Sequence, residues 1–180
     1  QSGPRLNPKG VKETRLSETR RIDPEDAAAT EAMTHMHFAN QFLQKGMTAQ
    51  ARAEIEKALS VQPAFPEASY LYACILYEQN DYRGSLGQAQ NALEQNPMLT
   101  EAHNIRGMAF GKMGDSDSAL KEFEAVKADP SYPTPEVAHF NIGKVFADRQ
   151  ACGEAVLHFR RALEINQQFW RAWYQLGLCQ

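Results

Sequence analysis

No part of this 180-residue chain approaches the roughly 18 consecutive apolar residues of a membrane-spanning helix. Charge of one sign is also missing. Nineteen Lys and Arg stand against 22 Asp and Glu, for a formal net charge of -3. Such a chain has no basic field with which to hold a phosphate backbone, so nucleic acid is not expected as a partner. Cysteine is scarce. Cys74, Cys152 and Cys179 form no C-x-x-C pair, and none has a histidine at zinc-finger spacing, which argues against a structural zinc. Nucleophile elbows, phosphate loops and paired carboxylates are absent too. Gly84 and Gly87 in YRGSLGQ come closest to a phosphate loop, but no lysine follows them. No cofactor is expected, and the chain reads as a binding protein and not an enzyme.

What is present is ordinary for a folded soluble chain, 43% hydrophobic and 23% charged, and it is periodic. Phe38-Ala39, Tyr72-Ala73, Arg106-Gly107, Ile142-Gly143 and Leu176-Gly177 align a large or long residue followed by a small one, at steps of 34, 34, 36 and 34 positions. Ala51, Ser85, Ala119 and Ala155 keep the same offset from that anchor, and Ala58, Ala92, Val126 and Ala162 follow seven residues later. Pro63 and Pro97 close the first two units at one phase. Within a unit, apolar residues recur at helical spacing, as in Ile55, Ala58 and Leu59. Gly46 and Gly114 sit where the first helix of a hairpin must end in a left-handed residue.

A 34-residue period with small and aromatic positions of this kind resembles the tetratricopeptide repeat, whose W-x-x-L-G opening is matched by Trp173, Leu176 and Gly177. The resemblance runs from about Ala32 to Gln180. It implies an all-α fold, a right-handed tetratricopeptide-repeat solenoid of antiparallel helical hairpins. Small anchors let the helices of a hairpin approach, while Phe42, Phe110, Phe146 and Phe159 fill the space between neighbours. One hairpin cannot bury its own apolar face, so stacking must supply the core. Units are expected near 32–65, 66–99, 100–135 and 136–169, with a partial unit over 170–180, inside a domain spanning 23–180. That partial unit has a first helix without its second. Either the natural chain is expected to continue or another chain covers this end.

Residues 1–22 differ in kind, with two prolines, two glycines, many charges and few apolar residues, and read as a flexible linker. Asp23-Pro24 looks like an N-cap followed by proline at the first helical position, opening a helix that runs to about Lys45. The two extra residues between units three and four lie in ADPSYPTPEVAHF, where Pro130, Pro133 and Pro135 stiffen the loop and Tyr132 is expected over the helix ends. His35, His103 and His139 share the fourth position of their units. Successive units stand about 10 Å apart, too far to share a metal ion, so they read as structural or surface histidines.

In the tetratricopeptide family the second, fifth, ninth and twelfth positions of each first helix usually line a concave groove. The resemblance therefore implies a protein-binding groove carried chiefly by Met33, Met36 and Asn40, by Tyr70, Cys74 and Tyr77, by Asn104 and Met108, by Phe140 and Lys144, and by Tyr174 and Leu178. Methionines and aromatics of this density suit an apolar or amphipathic partner helix. Tyr70 and Tyr77 lie off the anchor stripe, so their joint truncation is expected to spare the fold. The cationic clamp of chaperone-binding members is not matched: Met36, Glu101 and Ile105 stand at its positions, and only Asn40 agrees.

More narrowly, the chain resembles the type IV pilus pilotins, outer-membrane tetratricopeptide lipoproteins that help the pilus secretin assemble. The resemblance rests on a long first helix leading into Gln44, Gly46 and Ala51, on the Tyr132-Pro133 insertion followed by F-N-I-G at Phe140 to Gly143, and on A-x-x-x-F-R-R-A-L-E-I-N from Ala155 to Asn166. It implies a secretin subunit as partner and a location on the periplasmic face of the outer membrane, held there only through an N-terminal lipid that this sequence does not contain. In an oxidising periplasm, Cys152 and Cys179 are candidates for a disulfide, since antiparallel neighbours bring them to one level, and Cys74 stays free. The alternative is a cytoplasmic tetratricopeptide adaptor or secretion chaperone.

Overall fold

The structure, a computed structural model, describes residues 24–179. The expected linker over 1–22 and the expected cap at Asp23 lie outside the described residues. Among those described, the order is α1 (Pro24–Gln44), α2 (Thr48–Val61), α3 (Pro66–Glu78), α4 (Tyr82–Gln95), α5 (Thr100–Lys112), α6 (Ser116–Ala128), α7 (Pro135–Asp148), α8 (Cys152–Ile165) and α9 (Trp170–Leu178), without strands. The chain is thus an all-α array of helical hairpins, α1 with α2 through α7 with α8, each packed on the next. α1 ends within one residue of its expected limit.

Each hairpin turns by the same device. At the end of the first helix one residue takes a left-handed backbone: Gly46 (φ 71°), Asn80 (φ 62°), Gly114 (φ 83°) and Gln150 (φ 61°). The next amide then reaches back to a carbonyl five residues earlier, as in Met47 N–H to Phe42 O (2.8 Å) and Ala151 N–H to Phe146 O (2.9 Å), which satisfies the open helix end. In units two and three the following residue also caps the second helix. Asp81 accepts from the Gly84 amide and Asp115 from that of Ser118. Met47 and Ala151 hold this place in units one and four and offer no side-chain cap.

The columns found by periodicity form the core. Ala51, Ser85, Ala119 and Ala155 are fully buried, as are Ala58, Ala92, Val126 and Ala162. The anchors are small for a steric reason. A methyl added at Gly107 would sit 2.7 Å from the Phe123 ring, and one at Gly143 would sit 2.8 Å from the Phe159 ring. Beside the anchor column runs a polar pair bridging the two helices of a hairpin. His35 Nδ1 meets Glu54 at 2.6 Å and His103 Nδ1 meets Glu122 at 2.7 Å. Glu122 is nearly buried and accepts two further hydrogen bonds from Arg106. Burial pushes its carboxyl up, but the bonds from His103 and Arg106 outweigh that and hold it below the usual range.

The insertion between α6 and α7 is packed. Tyr132 lies buried with Val126 and Ala138, over the helix ends as expected. Asp129 ties the loop down by accepting from the Ser131 amide and hydroxyl and from the Thr100 hydroxyl. Two added residues here form part of the structure and not a loose bulge.

Candidate functional site

The first helices α3, α5 and α7 lie side by side, α3 against α5 and α5 against α7, and carry the stripe expected to bind. Its members have different surroundings. Met33, Asn40, Tyr174 and Leu178 are exposed, Met33 by 65% and Leu178 by 63%. Met36 packs against the core of units one and two. Tyr70 packs against two core clusters, one with Ala73, Ala89 and Ile105 and one with Ala92, Leu93 and Ala102. Burial, with Cys74 next to it, drives the Tyr70 hydroxyl well above its ordinary pKa, and burial pushes the Cys74 thiol up to about 11. Cys74 is therefore a small core-facing residue and an unreactive one. Tyr77 packs against the first of these clusters as well, so truncating either tyrosine would remove core contacts, and the expectation that the Tyr70–Tyr77 pair can be cut back without touching the fold fails on both. Phe140 is mostly covered as well, though part of it reaches the cleft described below. Only 9% exposed, it packs in the last core cluster against Phe159 and Phe169, with ring centroids 5.8 and 5.1 Å apart.

Four members come together in one place. Tyr77, Met108, Phe140 and Lys144 line a cleft of about 280 Å³ between α3, α5, α7 and α9. Asn104 stands beside it and accepts from the Asn141 amide at 2.9 Å, and Asn141 lines the cleft. Three charged wall residues were not read from the sequence. Lys112, Asp148 and Arg171 reach the cleft from the ends of α5 and α7 and the start of α9. Lys112 and Asp148 occupy one repeat position, just past the stripe, and Arg171 sits at the second position of unit five. Extending the stripe by one position and carrying it into the last unit would have found all three.

This cleft can bind but offers little to react with. Its acidic member, Asp148, stands 3.6 Å from Lys144 on the same helix. Among the described residues no group of three or more His, Cys, Asp or Glu could hold a metal ion. The expected cysteine pair is not bonded: all three thiols are free. Cys152 and Cys179 are nonetheless neighbours, and hydrogen bonding with Cys152 raises the Cys179 thiol above its ordinary pKa. Among the described residues no helix is long and apolar enough to cross a membrane.

Comparison with known proteins decides the family. Residues 38–97, 73–133 and 106–168 each match the tetratricopeptide repeat. The chain belongs to the tetratricopeptide repeat family. Among solved tetratricopeptide structures it is similar to PilW, described as a widely conserved type IV pilus biogenesis factor, with 26% identity and a TM-score of 0.77 over 82% of this chain and 68% of that one. YrrB, described as having an unusual peptide-binding site, is 26% identical with a TM-score of 0.70, over 83% of this chain and 75% of that one. PilF of Pseudomonas aeruginosa, at 18% identity, has the same fold, with a TM-score of 0.78 over 85% of this chain and 69% of that one. In sequence, 67% of the chain aligns at 25% identity with a DnaJ protein P58IPK homolog of Arabidopsis thaliana, but spans only 27% of that protein. A scaffold that binds protein is the role such repeats support.

Proposed function

We propose that the protein is a scaffold of type IV pilus biogenesis, docking a secretin subunit on its concave face and assisting secretin assembly or outer-membrane localisation. The likeness to PilW carries this reading. The Tyr132-Pro133 insertion supports it, because it is the most particular of the features that carry the resemblance to the pilotins and its Tyr132 is buried against Val126 and Ala138. The mode of action is binding. Apolar floor residues exclude water from the partner segment while rim charges fix its orientation. Attachment to the outer membrane through an N-terminal lipid, facing the periplasm, belongs to the same proposal.

The experiment is genetic and biochemical. Cells lacking the protein are compared with cells carrying Lys144→Glu together with Arg171→Glu, both exposed residues of the cleft, and secretin multimers are quantified on gels. Both strains are expected to assemble fewer multimers, with the variant folded and present at normal abundance. Wild-type multimer levels in the deletion strain would overturn the pilus assignment and leave the adaptor reading. A deficit in the deletion strain but not in the variant would move docking away from the cleft.

A further inference from the structure

The cleft between α3, α5, α7 and α9 has a charge opposite to that of the molecule. The chain carries a formal net charge of -3, yet three cations, Lys112, Lys144 and Arg171, line this one cleft against a single carboxylate, Asp148. They come from three successive inner helices. Several cations elsewhere are matched closely, Arg106 to Glu122 at 2.7 Å, Lys57 to Glu54 at 2.6 Å and Arg52 to Glu56 at 2.9 Å. In the cleft the match is poor. Lys144 has only Asp148, at 3.6 Å and with both side chains largely in water, a geometry of small worth. No carboxylate among the described residues pairs with Lys112 or Arg171. The Arg171 guanidinium lies over the Trp170 ring, 5.7 Å from its centroid, a contact that restrains its position and takes up none of its N–H donors. Beneath these charges lie apolar Met108 and Phe140 and the half-buried Tyr77.

We infer that the cleft recognises a partner segment in which acidic side chains flank an apolar one. The apolar residue sits on Tyr77, Met108 and Phe140, and the carboxylates meet Lys112 and Arg171. This rests on the concave face being the docking surface and adds the chemistry of what docks. The dimensions agree. At about 280 Å³ the cleft is just below the roughly 300–1,000 Å³ of small-molecule sites and is open on one side, which suits a side chain delivered by a longer segment. Cations standing over an apolar floor favour carboxylates twice, by attraction and because the floor lowers the local dielectric.

The test uses fluorescence anisotropy and labelled peptides blocked at both ends, so that only side chains carry charge. One peptide presents Glu-Phe-Glu in a Gly-Ser-Ala background, and its counterparts present Gln-Phe-Gln and Lys-Phe-Lys. The acidic peptide is expected to bind at least tenfold more tightly than the Gln form, with an affinity that falls as salt rises. Lys112→Glu combined with Arg171→Glu should remove acidic binding and confer binding of the Lys form. That gain establishes that the variant is folded, and helical circular dichroism checks it separately. Equal binding of the acidic and Gln peptides would overturn the charge recognition while leaving the concave face as the docking surface. Absence of binding by all three peptides to a protein that still captures the secretin subunit would overturn the inference and spare the proposed function.

Discussion

His139 and His158 meet Nδ1 to Nδ1 at 3.4 Å across the α7–α8 hairpin, at the register where units one and three pair a histidine with a glutamate. With ring centroids 5.6 Å apart, the two nitrogens point nearly straight at each other, so one neutral ring donates to the other. Phe146 stacks on His158, and Lys127, Arg161 and Glu124 are the charges in range. Burial, then the partner ring and the nearby cations, lowers His139, and burial, then Lys127, lowers His158, with Glu124 opposing in both cases.

A pH dependence follows, with a definite sign. Folded-state values below the ordinary 6.5 mean that the unfolded chain binds more protons, so the contribution to stability is complete above that pH and is lost as pH falls below it. Glu54 and Glu122 are lowered as well, so their contribution is complete above the ordinary 4.5 and is lost as pH falls below it and through their folded values. Urea unfolding across this range should show two stages, histidine first and carboxylate second. His158→Glu restores the pairing of units one and three and should abolish the first stage. An unchanged first stage in that variant would rule out the histidine pair as its source.

Three glycines of one sequence column should respond differently to the same substitution. Gly143→Ala drives a methyl to within 2.8 Å of Phe159 and should cost about 2 kcal/mol. At roughly 2–4 °C per kcal/mol for a chain of this size, the midpoint of thermal unfolding should drop by several degrees. Gly107→Ala, against Phe123, should behave alike. Gly177→Ala meets no atom within 4 Å and should be neutral or mildly stabilising. Equal effects at Gly143 and Gly177 would refute the close-approach explanation of the small column.

Gln150 is the costly member of the turn column. Gly46, Asn80 and Gly114 suit a left-handed backbone, whereas glutamine rarely adopts one. Replacement by Gly at Gln150 should raise unfolding stability by about 0.5–1 kcal/mol, the relieved strain exceeding the added chain entropy. The matching change at Gly114, Gly114→Ala, should lower it. Chemical denaturation of both variants measures the contrast.

Cys152 and Cys179 should close into a disulfide when an oxidant such as oxidised glutathione is supplied, because the thiols are already neighbours. Intact mass would then fall by two hydrogens per chain, with Cys74 still alkylatable after unfolding. The bond should stabilise the chain by about 3 kcal/mol through loop closure. Retention of three free thiols after prolonged oxidation would exclude the pair.

The repeat made most of the fold legible without coordinates. Ala51, Ser85, Ala119 and Ala155 declare themselves by recurrence, and each is buried for the same local reason, since every hairpin must pack its second helix on its first. Gly46 and Gly114 announce left-handed turns, and Tyr132 in the insertion announces a residue that must cover helix ends. Position within a unit does not fix what neighbouring units cover. Tyr70 and Phe140 share the fifth place of their units with Met36, Asn104 and Tyr174, yet Tyr174 is 62% exposed and Phe140 only 9%. The difference comes from the helices stacked alongside, which belong to other repeats. The cleft has the same origin. Lys112, Lys144 and Arg171 are dozens of residues apart, and they face one space because stacking brings the ends of α5 and α7 beside the start of α9. Periodicity reports the contacts that every unit repeats; the contacts that distinguish one unit from the next depend on a packed array.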